Sequence, residues 1–379
     1  MTLLASSLSL LAGCDHDPEA RECPNTPGVI CPWGGTGAPG FDGDGNSLEE
    51  SRFYWPADVA FTSTGTYILD WNNHRVRHLT DAGVLETVIG TDFIGDGPPD
   101  QSDLTQPGAP GTSIDLNHPT QVLEMPDGRI ILVAWHNHKL RIWDPDTGLA
   151  YVVCGRGAGP VSEGMTEEPL AMAKLNQPAA ARFGPDGKLY VLDQRNQVLR
   201  RIDTLDEETG MIEVIAGTPG MFGFAGDGGP PLAAMLSFPK GSNPPPAGSL
   251  DFDEQGRLYF ADTLNNRVRR IDFEADTIET VLGDGTIEAL NNPRDIEAGP
   301  DGRIYVADEL NHRVIALDPD TLESEVIAGT GEAGFSGDYG PANEAQLNRP
   351  FGLAFDEAGD LYISDTYNHR IRIVRGGGN

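Results

Sequence analysis

Leu347-Asn348-Arg349-Pro350 and, after a short apolar run and a glycine-bearing turn, Leu361-Tyr362-Ile363-Ser364-Asp365-Thr366-Tyr367-Asn368-His369-Arg370 carry the pattern that decides the fold. The same order of proline, apolar run, turn, second apolar run and Asp-x-x-Asn-x-Arg occurs six times with variations. The marker prolines are Pro56, Pro119, Pro178, Pro239, Pro293 and Pro350. A period of about 54 to 63 residues suits a unit of several strands and is too short for a domain.

Composition narrows the fold and the function. The repeats fill the chain from about residue 48 onward, so we predict a single repeat domain. Glycine and proline are abundant, long helical periodicity is absent and short alternating apolar runs are frequent, which is typical of an all-β protein. The net charge of −32, without a basic cluster, argues against a nucleic-acid partner.

Each repeat divides into four strands. In the fifth copy the strands are predicted at 295–298, 303–307, 313–317 and 324–328, separated by turns that contain glycine, asparagine or proline. This order gives a four-stranded antiparallel meander with two apolar faces. Six such meanders bury these faces by radial stacking, so we predict a six-bladed β-propeller.

The turn after the second strand resembles the motif that names the NHL repeat. It reads Asn73-His74-Arg75, Asn137-His138-Lys139, Asn196-Gln197-Val198, Asn265-Asn266-Arg267, Asn311-His312-Arg313 and Asn368-His369-Arg370. The resemblance implies an NHL-like six-bladed propeller. For function it implies several alternatives, because such propellers include ligand scaffolds, sensor domains, RNA binders and a few lyases.

The last repeat ends after its third strand. Upstream of the first repeat, the segment from Cys31 to Gly45 parallels 325–338, an outer strand and its exit loop. We therefore predict that an amino-terminal strand completes the sixth blade, and that the propeller comprises residues 28–379.

The amino terminus has the character of an export signal. Residues 1–13 are apolar and too short to span a bilayer, and Leu11-Ala12-Gly13-Cys14 resembles a bacterial lipobox. We predict a lipoprotein signal at 1–13, lipid attachment at Cys14 and a tether at 14–27; a plain signal peptide is the alternative. The protein is then anchored in the bacterial cell envelope, facing the periplasm or the surface, with either membrane as the site of attachment.

The remaining cysteines agree with export. Cys23 and Cys31 are close in sequence and are predicted to form a disulfide, whereas Cys154 lies in an apolar strand and is predicted to be a buried thiol.

Two repeated features resemble metal sites. Asp70, Asp193, Asp262, Asp308 and Asp365 end the second strands, and Gly-Asp-Gly loops such as Asp42-Gly43-Asp44-Gly45 join the blades. Recurrence in nearly every blade favours turn chemistry for the aspartates and for the histidines that follow them. The loop 42–53 begins like an EF-hand but has Ser47 and Phe53 where glycine and glutamate are needed; no cofactor is predicted, and calcium stays open.

Positions where the copies differ are better candidates for a binding site. The turns after the second strands, which carry the repeated asparagine, are here called the Asn turns. Their variable positions are occupied by Trp71, Trp135, His136 and Tyr367. We expect the aromatic residues Trp71, Trp135 and Tyr367 to be exposed. After the marker prolines, Asp58, Gln121, Lys240, Arg294 and Asp295 are expected to line the channel mouth. Lys240 and Arg294 are expected to pair with Asp58 and Asp295 or to hold a ligand carboxylate. An insertion at 242–248 is expected to reshape or cover the rim.

Enzymatic motifs are weak. The peptide-amidating lyases of this propeller family carry zinc histidines largely just after the marker proline, where this chain has none, and His118 stands before Pro119 without companions in sequence. We therefore expect a monomeric, non-catalytic scaffold that binds a peptide, glycan or protein partner and contacts the membrane only through its lipid. The alternative is a calcium- or zinc-assisted lyase or lactonase at the channel mouth.

Overall fold

The computed structural model describes residues 22–155, 157–161, 167–241 and 243–376. Its strands form six antiparallel sheets of four or five strands each, arranged as the blades of a propeller. The predicted fold class is therefore confirmed.

The blades follow one another along the chain, and the strands of each are given from the innermost outward. Blade 1 contains Pro56–Thr62, Gly65–Asp70, Arg75–Leu79 and Leu85–Ile89; blade 2 contains Gln121–Glu124, Ile130–Ala134, Lys139–Asp144 and Leu149–Cys154; blade 3 contains Pro178–Phe183, Leu189–Asp193, Val198–Ile202 and Met211–Ala216. Blade 4 contains Leu250–Phe252, Leu258–Asp262, Arg267–Asp272 and Thr277–Leu282; blade 5 contains Pro293–Ala298, Ile304–Asp308, Arg313–Leu317 and Ser324–Ala328; blade 6 contains Leu353–Phe355, Leu361–Asp365, Arg370–Val374 and Val29–Gly34.

Short elements complete the blades. Blades 2, 3 and 6 each have a fifth strand of two or three residues, which are Ala109–Pro110, Glu167–Pro169 and Gly340–Pro341. Single 3₁₀ turns lie at Trp71–Asn73, Ser102–Leu104, Gly111–Ser113, Leu170–Met172, Gln194–Asn196, Pro231–Ala233, Thr263–Asn265, Glu309–Asn311, Ala342–Glu344 and Thr366–Asn368. None of the helices in the described ranges is long and apolar enough to cross a membrane.

The amino-terminal strand closes the ring as predicted. Val29–Gly34 pairs antiparallel with Arg370–Val374, with Cys31 opposite Ile373. The adjoining core includes Cys31 and Phe53 from the amino-terminal segment, Ile68 from blade 1 and Tyr362 from blade 6. The first and last blades are thus joined both by a strand and by a shared apolar core.

Apolar side chains between blades form most of the core. One cluster joins Ile131 and Val133 of blade 2 to Ala181 and Val191 of blade 3, all almost fully buried. Burial of apolar surface contributes about 25 cal/mol per Å². Radial stacking is therefore the main source of stability.

The repeated aspartates hold the turns. In blade 1, Asp70 Oδ1 accepts the Tyr54 backbone N–H at 2.8 Å, and Oδ2 accepts the side-chain amide of Asn73 at 2.8 Å. The Asn73 amide also donates to the carbonyl of Gly40, in the loop that leads from the outer strand of blade 6 to blade 1. Because the turn asparagine makes this bond in all six blades, the Asn turns and the inter-blade loops share one face, here called the upper face.

The residue after each turn asparagine links neighbouring blades. His74 has a left-handed backbone, with φ 56°, and its Nδ1 accepts the His118 backbone N–H of blade 2 at 3.1 Å. The equivalent bonds are His138 with Gln177, Gln197 with Phe238, Asn266 with Asn292, His312 with Arg349 and His369 with Trp55. They form a closed ring of six, which assigns the repeated histidines to the scaffold.

The Gly-Asp-Gly loops engage buried arginines. Asp227 accepts hydrogen bonds from Arg269 at 2.6 Å and from the Thr280 hydroxyl at 2.7 Å, and the Phe224 ring lies against the Arg269 guanidinium. Blade 2 has Ala134 in place of the turn aspartate, and there Arg141 pairs with buried Asp103. These carboxylates serve to neutralise arginines inside the blades.

The cysteines divide into two structural classes. Cys23 and Cys31 form a disulfide with Cα atoms 5.9 Å apart, the pairing expected from the sequence, and Cys154 is a buried free thiol. Cys14, the predicted lipid-attachment residue, lies outside the described residues.

Candidate functional site

A channel passes along the propeller axis and narrows in the middle. Its waist is lined in five blades by the residues that follow the marker prolines, as expected, including Ala57, Gln121 and Arg294. In blade 4 the insertion moves this position from Lys240 to 247–249. Wider cavities lie above and below the waist.

The upper pocket opens on the upper face and has a volume of about 300 Å³. Trp55 and Tyr367 stack with ring centroids 4.9 Å apart and planes 22° from parallel. Trp71 lies 5.9 Å from Trp55, and Phe351 lies 6.5 Å from Trp71. Four aromatic rings from blades 1 and 6 therefore form a continuous wall.

An ion pair lies beside this wall. Arg294 Nε donates to Glu309 Oε2 at 2.5 Å, and both side chains are almost fully buried. The Arg294 guanidinium also lies over the Phe351 ring at 4.7 Å, while half-exposed Arg349 lies over Tyr367 at 4.5 Å. The expected pairing of Arg294 with Asp58 or Asp295 is wrong, because Glu309 from the Asn turn of the same blade is closer.

The insertion forms a further wall of the upper pocket. Pro245 and Pro246 line the pocket, which confirms that the insertion reshapes the rim. Lys240 lies outside the channel, exposed to solvent with its ammonium group over the Phe222 ring. The expectation that Lys240 lines the mouth is wrong, because the insertion carries the chain away before it enters the innermost strand.

Trp135 is buried, and it is hydrogen-bonded through Gln194 to the insertion that forms this further wall. Its side chain is 1% exposed, and its indole N–H donates to Gln194 Oε1 at 2.9 Å. The Gln194 amide donates in turn to the carbonyls of Pro239 and Pro245, and Gln194 Oε1 also accepts the Ala247 N–H. The expectation of an exposed aromatic at position 135 is therefore wrong, because the turns of blades 2 and 3 together bury it.

His136 belongs to a cluster at the junction of blades 1 and 2. The His118 and His136 Nδ1 atoms are 3.2 Å apart, and His118 packs against Trp71 with ring centroids 4.6 Å apart. His118 therefore has companions in space that its position in the sequence did not indicate.

The lower cavity, of about 270 Å³, lies beyond the waist and is strongly polar. Arg182 donates to Asp251 at 2.5 Å and to Glu297 at 2.6 Å. Asp58 and Asp295 face the same space. Burial, with the nearby charge of Asp295, raises the pKa of Asp58 to about 7, and burial raises the pKa of Asp295 to about 6.

The polar residues of the lower cavity also join the innermost strands. Asp58 accepts the Val122 N–H at 3.0 Å, and Gln121 accepts the Ala181 N–H at 2.7 Å. Asp295 accepts the Leu353 N–H at 2.6 Å. Each bond reaches the next blade, so these three side chains have a structural role whether or not they touch a ligand.

Within the described part of the chain, no group of three or more His, Cys, Asp or Glu side chains is arranged to hold a metal ion.

Three residues of the upper pocket were not anticipated: Trp55, Glu309 and Arg349. Trp55 and Arg349 directly precede marker prolines, and Glu309 follows a turn aspartate. For Trp55 and Arg349, the signal available in the sequence is their position directly before a marker proline. The backbone N–H at this position is hydrogen-bonded in every blade, whereas the side chain differs between blades, as at Trp55, His118 and Arg349.

Comparison with known proteins supports the repeat assignment. Residues 290–317 and 347–374 match the model of the NHL repeat. Over 352 residues the chain is 28% identical to Suppressor of quenching 1, a chloroplastic protein of Arabidopsis thaliana, covering 90% of this chain and 26% of that protein. It is 24% identical to human NHL repeat-containing protein 2, and the alignment covers 86% of this chain and 40% of that protein. The chain thus spans well under half the length of these relatives.

Solved structures show the same fold. An auxiliary nutrient binding protein from Bacteroides thetaiotaomicron aligns with a TM-score of 0.60 and 17% identity, covering 91% of this chain and 75% of that one. A gluconolactonase from Xanthomonas campestris aligns with a TM-score of 0.54 and 12% identity, covering 92% and 97%. At these identities the likeness concerns the fold alone.

Proposed function

We propose that this NHL-repeat six-bladed propeller is a non-catalytic scaffold that binds a peptide, glycan or protein partner through its upper pocket. The observation that carries the proposal is the aromatic wall of Trp55, Trp71, Phe351 and Tyr367 around an open pocket of about 300 Å³. In a repeat protein, side chains that break the repeat and are not needed by the scaffold are the best candidates for recognition.

Among these partners the pocket favours a glycan. Stacked aromatic rings bury the apolar face of a sugar ring, and the rim of charged groups supplies hydrogen bonds to its hydroxyls. Arg349 and the Arg294–Glu309 pair border the wall in this way. The volume suits one or two sugar rings, so we propose the end or a short segment of a glycan as the ligand.

The propeller neighbour described as an auxiliary nutrient binding protein is consistent with a ligand-binding role. That likeness supports the use of this fold for binding and carries no information on the ligand of this chain.

We further propose that the protein acts outside the cytoplasm, attached by a lipid at Cys14. The Cys23–Cys31 disulfide supports an oxidising compartment. Incorporation of labelled palmitate, with Cys14→Ala as the control, tests the anchor. Membrane fractionation then assigns the membrane, and a Cys14→Ala protein that still takes up label and stays in the membrane contradicts the proposal.

Glycan and peptide arrays test the binding role. The wild-type protein is expected to bind a set of glycans, and a Trp55→Ala/Tyr367→Ala variant is expected to lose at least tenfold in affinity at an unchanged melting temperature. Phe93→Ala is the matched control, because Phe93 is an aromatic residue 71% exposed and outside the pocket. Binding of peptides alone redirects the proposal to a peptide ligand, and undiminished binding by the double variant contradicts it.

A metal-assisted lactonase or lyase is the second candidate. It is favoured by the enclosed carboxylates Asp58 and Asp295, whose pKa values are raised to about 7 and 6, and by propeller neighbours that include a gluconolactonase. Metal analysis of the purified protein, combined with lactone hydrolysis assays on wild type and Asp58→Asn, separates the two candidates. A turnover that disappears together with a stoichiometric metal supports the enzyme.

A further inference from the structure

Three polar side chains converge at the junction of blades 1 and 2 on the upper face. The Nδ1 atoms of His118 and His136 are 3.2 Å apart. Asn117 Oδ1 lies 2.7 Å from His118 Nδ1 and 3.3 Å from His136 Nδ1. The three atoms form a nearly equilateral triangle.

The scaffold holds each member of this triangle independently. The His118 backbone N–H is bound by His74 Nδ1 at 3.1 Å, and the Asn117 backbone N–H is bound by Asn137 Oδ1 at 3.0 Å. The His136 ring stacks on buried Trp135 with centroids 3.7 Å apart. The scaffold therefore fixes the backbone of Asn117 and His118 and the ring of His136, and Asn72 Oδ1 lies 3.1 Å from His118 Nε2.

The fold does not require the two histidine side chains, whereas asparagine recurs at the position of Asn117 in four of the six blades. In the other blades, the residue equivalent to His118 is Trp55, Gln177, Phe238, Asn292 or Arg349. Only the backbone N–H of this residue takes part in the ring of hydrogen bonds between blades. The position of His136 is equally variable. The two imidazoles meet in one blade only, so repetition of the scaffold does not explain them, and the repeated asparagine lies beside them there.

The triangle has the dimensions of a metal site. With metal–nitrogen bonds of about 2.0–2.1 Å, two imidazole nitrogens on one tetrahedral ion lie roughly 3.3 Å apart. The observed 3.2 Å between His118 and His136 Nδ1 agrees with this spacing. Imidazole suits Zn²⁺, Ni²⁺ and Cu²⁺, and the amide oxygen adds a third ligand.

We propose that His118 Nδ1, His136 Nδ1 and Asn117 Oδ1 form a binding site for one divalent transition-metal ion of the Zn²⁺ class. The remaining positions of the ion are open to water or a ligand. Because Trp71 contacts His118 and lines the upper pocket, the ion lies next to the pocket and behind its aromatic wall. The site does not depend on the proposed glycan ligand.

Titration of chelator-treated protein with Zn²⁺, followed by calorimetry and elemental analysis, tests the site. One equivalent is expected per chain, with affinity at least tenfold weaker in His118→Gln and in His136→Gln. His78→Gln is the control, because His78 packs on Tyr67 away from the triangle. His118→Gln keeps the backbone bond to His74, so its melting temperature without metal is expected to stay unchanged.

Either of two titration results overturns the proposal: no saturable Zn²⁺ binding by the wild type at 100 µM, or equal binding by the double variant His118→Gln/His136→Gln. X-ray absorption at the zinc edge of the loaded wild type provides a readout that needs no variant. Two imidazole ligands with oxygen in the remaining shell support the site, and any shell without two imidazoles overturns it.

Discussion

The two ends of the central channel are bordered by the same innermost strands and yet differ in chemistry. The upper pocket presents aromatic rings around one neutralised ion pair, whereas the lower cavity presents Asp58, Asp295 and Glu297 around Arg182. The upper side chains come from turns, from the residues on either side of the marker prolines and from an insertion. The lower ones lie on the innermost strands and bond to neighbouring blades. The lower end therefore belongs mainly to the scaffold, whereas the upper end is the proposed ligand site.

Opening the ring is expected to disrupt the upper and lower ends of the channel together, and it has the largest expected effect on stability. A protein that begins at residue 48 lacks the strand Val29–Gly34 and exposes the apolar face of blade 6. Aggregation or loss of cooperative melting is expected by scanning calorimetry. A protein that begins at residue 22 is the control, and a soluble, cooperatively melting protein lacking 22–47 contradicts ring closure.

Replacing Arg182, the cation of the lower cavity, is expected to lower the free energy of unfolding. Arg182→Met leaves Asp251 and Glu297 enclosed without their partner, at a cost of about 3 kcal/mol in the free energy of unfolding. Arg349→Met, at the half-exposed rim of the upper pocket, is the matched control and is expected to cost less than about 1 kcal/mol. Equal losses in denaturant titrations remove the distinction between the two ends.

The lower end also has a pH signature. Folded Asp58 keeps its proton up to about pH 7, whereas the unfolded residue releases it near 3.8. The folded state therefore binds more protons in this range, and this residue's contribution to stability falls as the pH rises from about 4 to 7. Asp58→Asn lacks this contribution and can still accept the Val122 N–H.

We accordingly expect the stability of Asp58→Asn relative to the wild type to increase between pH 5 and pH 8 in denaturant titrations. A difference that is constant with pH, or that decreases, contradicts the assignment of a raised pKa to Asp58.

Lys240 gives the smallest expected effect. It is exposed outside the channel and contacts Phe222. Lys240→Ala is expected to change neither the melting temperature nor ligand affinity beyond experimental error. A clear loss of affinity would extend the binding surface from the upper pocket to the loop that carries Phe222.

Features governed by repetition were predictable from the sequence. The blades, the closing strand at Val29–Gly34 and the turn role of residues such as Asp70 follow from comparing one copy with the next. Each copy faces the same neighbours, so its local pattern determines its contacts.

Features that depend on side-chain contacts differing from one copy to the next were not predictable. Trp135 is buried because Gln194 of the next blade reaches it, and Arg294 pairs with Glu309 because the Asn turn of the same blade bends over the strand entry. The seven-residue insertion displaces Lys240, and no sequence period indicates where the displaced segment lies. His118 and His136 meet because a strand entry and an Asn turn of the same copy, 18 residues apart, lie side by side on the upper face.

The central claim is that the upper end binds the ligand and the lower end maintains the fold. One titration tests it directly: the affinity of an array-selected glycan for wild type, for Trp55→Ala/Tyr367→Ala and for Asp58→Asn/Asp295→Asn. The account predicts at least a tenfold loss in the upper variant and a change of less than twofold in the lower one. The reverse order of effects, or a wild type that binds no glycan on the array, contradicts it.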